Sequence, residues 1–225
     1  MAGDARVKIL LNKAHYPVTV LGPGSRVGMW LQGCTIRCLG CISRDTWAAD
    51  PKAAVEVESV LDWVRSLPPD EVDGVTISGG EPFDQPDALA ELLRGLRGWR
   101  ETVARPIDLL CFSGRSWADL QREFPEMLTL LDAVVPEPFV QAEPTGAPLR
   151  GSANQRVVAL SDLGRERYTG TRELNELASQ RARIQVEVDD ESIWFIGIPL
   201  QGDMRKMEEQ AAEAGIRMRR TSWLT

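Results

Sequence analysis

Three of the four cysteines in this 225-residue chain lie in one short segment, GCTIRCLGC at residues 33–41. Three thiolates on one loop can hold three corners of an iron–sulfur cube and leave one iron without a protein ligand. Thiolates suit zinc as well as iron–sulfur clusters, so ligand type alone does not decide between them. Structural zinc sites usually close with four ligands, and no histidine or fourth cysteine lies near enough in sequence to complete one.

Few other side chains offer chemistry of this kind. Cys111 lies inside an apolar run, which is typical of a buried core residue of a strand. The only histidine, His15, excludes a site built from several imidazoles, and we expect it near a loop before the first core strand. Trp30 and Trp47 flank the cysteine loop, where they would either shield a cluster from solvent or simply belong to the core.

Short apolar runs between turn residues predict the strands that position this loop. The runs are VGMWLQ (27–32), DGVTIS (73–78), PIDLLCFS (106–113), DAVV (132–135) and QRVVAL (155–160). Helical periodicity follows over residues 57–67 and 86–96, and a third helix is predicted to begin after the N-cap Ser116. Strands that alternate with helices predict a mostly parallel sheet with right-handed crossovers.

Ligands of such folds bind at the carboxyl ends of the strands, so the loops there should converge on one face. These loops begin near Gly33, Gly79, Ser113 and Pro136. The last of them, at residues 136–155, is rich in Pro, Gly and polar residues, and a loop of this length is usually functional or mobile.

After about residue 183 the pattern changes, because RIQVEV, DDES and IWFIGIP predict an antiparallel hairpin, followed by a helix from about Asp203 to Ala214. The expected fold class is therefore α/β: a partial (β/α) barrel with a mostly parallel sheet, plus a C-terminal β-hairpin and helix. Residues 1–183 would form the core, and residues 184–225 would form an extension packed on it.

The composition limits the classes of partner. A formal net charge of -7 disfavours nucleic acid as a partner. No apolar run approaches the length of about 20 residues needed to cross a membrane, and the N-terminus has no signal-peptide pattern. The crowded cysteines do not form a secreted disulfide pattern, so we expect a cytoplasmic protein with reduced thiols.

The spacing CxxxCxxC of Cys34, Cys38 and Cys41, followed by VTISGGEP at residues 75–82, resembles the signature of the radical S-adenosylmethionine (radical SAM) enzymes. Within that superfamily the chain is similar to the activating proteins of anaerobic ribonucleoside triphosphate reductase, which act on glycyl radical enzymes. The similar segments lie at 22–47, 77–85, 112–120 and 149–156. The chain departs from that subgroup at Leu21, before Gly-Pro-Gly, and at Pro136–Glu137, where an Asp-Gly pair is common.

The resemblance implies a [4Fe-4S] cluster held by Cys34, Cys38 and Cys41, with S-adenosylmethionine chelating the open iron through its amino and carboxylate groups. One electron into the cluster would cleave the sulfonium to methionine and a 5'-deoxyadenosyl radical, which abstracts a hydrogen atom. The cofactors carry this chemistry, and the protein orients them and excludes water.

The resemblance also assigns cofactor binding to residues 79–82. Gly79 and Gly80 lack a Cβ, so they let the strand end approach a ligand closely and adopt φ values closed to other residues. By the resemblance, their backbone binds the methionine ammonium of the cofactor. Glu81 would supply negative charge near the cationic cofactor, and Pro82 completes the motif.

Two later segments carry weaker candidates. The Ser113 hydroxyl would contact the cofactor's ribose or carboxylate, or else belong to an ordinary turn. In LRGSANQR, Asn154 is a further candidate for cofactor binding, and Arg150 would either pair with a carboxylate or lie on the surface.

These features leave three functions open. The first is activation of a glycyl radical enzyme, such as anaerobic ribonucleotide reductase, with a flavodoxin or ferredoxin type reductant. The second is a radical SAM enzyme acting on a small-molecule substrate in a biosynthetic pathway, suggested by the departures and the C-terminal extension. The third is a non-catalytic iron–sulfur or zinc binding protein.

Overall fold

The structure, a computed structural model, describes residues 6–169, 184–188, 192–216, 218 and 221–223. Its larger sheet has seven strands in the order β3-β1-β2-β4-β5-β6-β7. The strands are β1 (Lys8–Val18), β2 (Arg26–Leu31), β3 (Ala54–Glu56), β4 (Gly74–Gly79), β5 (Asp108–Phe112), β6 (Ala133–Val135) and β7 (Val158–Ala159). The helices of this part are α1 (Val57–Ser66), α2 (Pro86–Arg100), α3 (Trp117–Glu123), α4 (Pro125–Leu128) and α5 (Asp162–Tyr168).

The predicted mostly parallel sheet is confirmed at its centre. Strands β2, β4, β5 and β6 run parallel to one another, so their carboxyl ends meet at one edge of the sheet. On one side β1 pairs antiparallel with β2, and β3 pairs antiparallel with β1; on the other side β7 pairs antiparallel with β6. The last predicted strand, at 155–160, is shorter than expected, because only Val158–Ala159 pairs with β6.

The patterns of the sequence do not predict β1. Its segment KILLNKAHYPV mixes polar and apolar residues without the alternation of a half-buried strand, and most of its residues are half-buried. His15 lies inside this strand, opposite Gly28 of β2, so the expectation that it lies near a loop is wrong. Its ring meets Trp194 of the C-terminal hairpin edge-on, with the ring centroids 5.4 Å apart.

The main core lies between the sheet and helices α1 and α2. The predicted stripes are buried: in α1 they include Val60, Leu61 and Val64, and α2 buries its leucines against the same cluster. The helices pack so closely that a Cβ on Gly95 of α2 would lie 2.2 Å from a methyl carbon of Leu61. Helix α3 has the predicted cap, since Ser116 Oγ accepts a hydrogen bond of 3.1 Å from the N–H of Asp119.

The C-terminal region forms the predicted antiparallel hairpin, β8 (Ile184–Val188) with β9 (Ile193–Gly197), and the predicted helix, α6 (Asp203–Glu213). Residues 170–183 and 189–191, which include most of the predicted hairpin turn, lie outside the described residues. Ile196 of β9 is buried in an apolar cluster with Val18, Leu21 and Trp30. Across the described residues, every helix is too short or too polar to span a membrane.

Candidate functional site

The loops after β2, β4 and β5 line one cavity of about 220 Å³ at the carboxyl ends of the parallel strands. The cysteine loop contributes Cys34, Cys38 and Cys41, and the next two loops contribute residues 79–81 and 113–114. The predicted convergence of these loops therefore holds. Residues of the long segment after β6, among them Phe139 and Gln155, form a further part of the wall.

The backbone of the cysteine loop is fixed at both of its ends. The N–H of Cys34 donates to the carbonyl of Trp47 at 3.1 Å, and the N–H of Gly33 donates to the carbonyl of Thr46 at 2.7 Å. A 3₁₀ turn at Arg44–Thr46 brings these carbonyls into place. The loop folds back between these anchors, and all three of its thiols are free and half-buried.

Peptide N–H groups act on all three thiols, and the N–H of Ser43 donates to Cys41 Sγ at 3.4 Å. Burial raises the pKa of the Cys34 thiol, and hydrogen bonds from the N–H groups of Arg37 and Ile36 to its sulfur oppose that rise. Burial also raises the pKa of the Cys38 thiol, opposed by a hydrogen bond from the N–H of Phe139 in the long loop. The N–H donors would favour the thiolate form that a metal requires.

The Gly-Gly pair lies where the β4 loop meets the cysteine loop. Gly79 has φ of 98°, the left-handed region that favours glycine. A Cβ on Gly80 would lie 2.0 Å from the carbonyl oxygen of Gly33, and that carbonyl accepts a hydrogen bond of 2.9 Å from the N–H of Glu81. The absence of side chains at these positions therefore lets the two loops contact each other through their backbones, beside the cavity.

Glu81 lines the cavity, but its side chain is only 1% exposed and its oxygens are engaged inside the protein. Oε1 accepts from Ser113 Oγ at 2.9 Å and from the N–H of Phe83 at 3.0 Å, and Oε2 accepts from the N–H of Gly114 at 2.7 Å. Burial raises the pKa of this carboxyl, while the three donors act in the opposite direction. The carboxylate thus joins the β4 loop to the β5 loop.

A second carboxylate of the same loop, Asp84, makes contacts that the sequence patterns do not predict. Asp84 accepts hydrogen bonds from the backbone and hydroxyl of Thr35, in the cysteine loop, and forms an ion pair with Arg115, in the β5 loop. The residue belongs to the ISGGEPFDQ segment, yet its partners lie 49 and 31 positions away. Only the folded chain brings them together.

The structure does not bring all the predicted residues to the cavity wall. Pro82 is buried at the start of the 3₁₀ turn Pro82–Asp84. The amide of Asn154 donates to the carbonyl of Pro138 at 2.9 Å and accepts from Ser152, so it holds the long loop together. Arg150 donates to the carbonyl of Gln155 at 3.3 Å. Pro82, Asn154 and Arg150 do not border the cavity, whereas Ser113, Trp30 and Trp47 do.

The donor set fits a thiolate-bound cluster. Three reduced thiols line one cavity, whereas the fourth cysteine, Cys111, is fully buried in β5 and faces the main core. Among the described residues, no group of three or more His, Cys, Asp or Glu side chains is arranged to hold a metal ion. Each thiolate of an iron–sulfur cube binds a different iron, so its ligands need not converge on one point.

Comparison with known proteins gives a match to the family described as "4Fe-4S single cluster domain" over residues 20–158, the part that carries this cavity's three thiols and the Gly-Gly pair. An anaerobic ribonucleoside-triphosphate reductase-activating protein of Enterobacteria phage T4 is 29% identical over 143 residues, 64% of this chain and 89% of that protein. The protein of the same name from Vibrio cholerae serotype O1 is 30% identical over 146 residues, 63% of this chain and 92% of that protein.

A pyruvate formate-lyase-activating enzyme of Staphylococcus aureus strain USA300 is 32% identical over 121 residues, which are 52% of this chain and 47% of that enzyme. The family match ends within β7, so the C-terminal hairpin and α6 lie outside it.

Proposed function

This chain belongs to the 4Fe-4S single cluster domain family, and we infer from this membership that it is a radical SAM enzyme that activates a glycyl radical enzyme, such as an anaerobic ribonucleotide reductase. Its cofactors are a [4Fe-4S] cluster and S-adenosylmethionine. The observation that carries the proposal is the shared cavity, where the three thiols of the cysteine loop meet the Gly-Gly-Glu segment after β4. The relatives named as activating proteins are matched over about nine-tenths of their own length.

In this proposal Cys34, Cys38 and Cys41 hold the cluster. This assignment is supported because all three are free thiols that line one cavity, on a loop whose two ends are fixed by hydrogen bonds. When bound, the cluster and S-adenosylmethionine supply one-electron chemistry that removes a hydrogen atom from the substrate. Cys111 takes no part, because it is fully buried in β5.

We assign the binding of S-adenosylmethionine to Gly79, Gly80, Glu81 and Ser113, which line the same cavity. The two glycines bring their backbone close to the cysteine loop without a side chain in the way. Glu81 keeps negative charge beside a cationic cofactor and also orients the Ser113 hydroxyl, which donates to it at 2.9 Å. Pro82 and Asn154 contribute less directly, by fixing the backbones of the β4 loop and the long loop.

Apolar side chains from three segments would keep water from the bound cofactors. Trp30 and Trp47 border the cavity beside the cysteine loop, and Phe139 borders it from the long loop. Exclusion of water limits side reactions of a radical and strengthens electrostatic interactions in the site.

We also propose that residues 1–183 form the core, a partial (β/α) barrel, and that residues 184–225 form an extension. The support for the barrel is the parallel pairing of β2, β4, β5 and β6, whose loops lie at one end. The electron comes from a flavodoxin or ferredoxin type reductant. The protein acts in the cytoplasm, in keeping with four free cysteines among its residues.

The test is anaerobic reconstitution of the full chain with iron and sulfide, followed by reduction in the presence of S-adenosylmethionine and a candidate glycyl radical enzyme. We expect the electron paramagnetic resonance (EPR) doublet of a glycyl radical on the partner, and we expect its loss in Cys34→Ala. Cys111→Ala is the matched control, because it removes a thiol that does not border the cavity. Cleavage of S-adenosylmethionine without a glycyl radical on any candidate partner enzyme would contradict the proposed activating function.

A second candidate, action on a small-molecule substrate, is favoured by one observation. The hairpin, α6 and the cysteine loop enclose a larger cavity of about 740 Å³, bordered by Trp194, Trp223 and Lys13. It shares Trp30, Ile42, Ser43, Gly197 and Pro199 with the wall of the smaller cavity. Turnover of a metabolite coupled to cofactor cleavage, without a protein partner, would favour this function over activation.

A further inference from the structure

Asp84 lies at the end of the 3₁₀ turn that follows β4, with its side chain only 14% exposed. Its two carboxylate oxygens receive three donors from two other loops. Oδ2 accepts from the N–H of Thr35 at 2.8 Å, and Oδ1 accepts from Thr35 Oγ1 at 3.0 Å and from Arg115 Nη2 at 2.9 Å. One side chain therefore ties together the loops after β2, β4 and β5.

Thr35 is the residue next to Cys34 in the cysteine loop. The N–H groups of the following residues, Ile36 and Arg37, act to lower the pKa of the Cys34 thiol, against the effect of its burial. Arg37 has φ of 51°, a left-handed conformation that is uncommon for a residue other than glycine and needs support from its surroundings. A fixed position for Thr35 therefore supports the backbone on both sides of it, from Cys34 to Arg37.

An ordinary surface contact does not account for this arrangement. Thr35 is exposed, so water would satisfy its N–H equally well without Asp84. The two hydrogen bonds of Asp84, one to the backbone N–H and one to the hydroxyl, instead restrict the orientation of Thr35. Hydrogen bonds to the ligands and sulfurs of a metal centre control its affinity and its reduction potential, and their loss typically costs about 10- to 100-fold in metal affinity.

We propose that Asp84 is a positioning residue for the cluster: through its two hydrogen bonds to Thr35 it fixes the backbone of the cysteine loop directly beside the ligand Cys34. This inference rests on the proposed function, since it requires that Cys34 binds a cluster. It assigns a role to a residue outside the cysteine and Gly-Gly-Glu-Pro motifs. Arg115 takes part by binding Oδ1 of the same carboxylate.

The experiment compares the anaerobically reconstituted full chain with its Asp84→Asn, Asp84→Ala and Thr35→Ala variants and the Thr35→Ala/Asp84→Ala double variant. The readouts are the rate of cluster loss to an iron chelator, followed by visible absorption, and the EPR g values of the reduced cluster. Asp87→Asn is the matched control, because Asp87 is an exposed carboxylate three positions further on. The Thr35 variant changes an exposed side chain, so it tests the contact even where an Asp84 variant folds poorly.

We expect cluster loss to be about tenfold faster in both Asp84 variants, with changed g values, and faster to a lesser degree in Thr35→Ala. The double variant should lose its cluster no faster than Asp84→Ala, because both changes break the same contact. Asp87→Asn should behave as the wild type. Asp84 and Thr35 variants with wild-type loss rates and g values would overturn the inference, whereas a wild-type chain that binds no cluster would contradict the proposed function instead.

Discussion

Arg26 and Asp108 form a fully buried ion pair at the end of the sheet opposite the cavity. Arg26 Nη2 lies 2.8 Å from Asp108 Oδ2, and Nη1 lies 2.9 Å from Oδ1. Arg26 begins β2 and Asp108 begins β5, with β4 between them. Arg26 Nε also donates to Thr76 Oγ1 at 2.7 Å, and the Tyr168 hydroxyl donates to Asp108 at 2.5 Å. The pair thereby joins three parallel strands and α5, and fixes the strands whose other ends carry the site.

Asp108→Asn should destabilise the fold strongly. Loss of the carboxylate leaves the Arg26 guanidinium charged and buried without its counterion, a change that typically costs about 3–5 kcal/mol. The free energy of unfolding from urea titration measures the effect. Asp119→Asn is the control, because Asp119 lies on the surface at the start of α3, and its effect should be much smaller. A change below about 1 kcal/mol in Asp108→Asn would contradict the assigned role.

The same pair predicts how stability depends on pH. Burial alone would raise the pKa of Asp108, but the charge and hydrogen bonds of Arg26, with Arg167 and Tyr168, outweigh burial and hold this pKa below its ordinary value. A carboxyl with a lowered pKa in the folded state stabilises the protein above its unfolded pKa of about 3.9. This contribution is lost as the pH falls through the folded pKa. Acid titration of the wild type and Asp108→Asn should therefore show curves that converge below about pH 4.

Gly80→Ala tests the contact between the two loops of the site. The added Cβ would lie 2.0 Å from the carbonyl oxygen of Gly33, so the β4 loop and the cysteine loop must separate. We expect at least about a tenfold loss of cluster affinity, as for other changes to the support of a metal site. Gly98→Ala is the matched control, since its Cβ would meet no atom within 4 Å. At this exposed position of helix α2 the change should stabilise the protein by about 0.5–1 kcal/mol. Wild-type cluster affinity in Gly80→Ala would count against this geometry.

Glu81→Gln tests the link between the β4 and β5 loops. The amide can present only one oxygen, so either the N–H of Gly114 or the Ser113 hydroxyl loses its acceptor in a buried place. An unsatisfied buried donor costs about 1–3 kcal/mol, and the Ser113–Gly114 loop should become less ordered. We expect weaker binding of S-adenosylmethionine, measured by titration of the EPR signal of the reduced cluster. Glu91→Gln, at an exposed position of α2, is the control and should leave this binding unchanged.

The parts of the site that the sequence predicts are those with a local signal. Cys34, Cys38 and Cys41 are recognisable by their spacing, and Gly79 and Gly80 by their place at the end of an apolar strand. Because parallel strands bring their carboxyl ends to one edge, the strand order along the chain was enough to predict that these loops meet.

The parts that the sequence does not predict depend on distant contacts. The partners of Glu81 and Asp84 in other loops lie 31 to 49 positions away, and polar residues in loops carry no periodic signal that would pair them. The sequence does not predict strand β1 for a related reason. Its mixed pattern of polar and apolar residues reflects contacts with β2, β3 and the distant C-terminal hairpin. Tertiary contacts, rather than local preference, determine these features.

The most direct test of the central claim is the EPR spectrum of the anaerobically reconstituted, reduced chain, recorded with and without S-adenosylmethionine. We predict a [4Fe-4S] signal that changes on addition of S-adenosylmethionine. That signal should be lost in Cys34→Ala, Cys38→Ala and Cys41→Ala, and kept in Cys111→Ala. A chain that takes up zinc but no iron, or a cluster whose spectrum does not respond to S-adenosylmethionine, would contradict it.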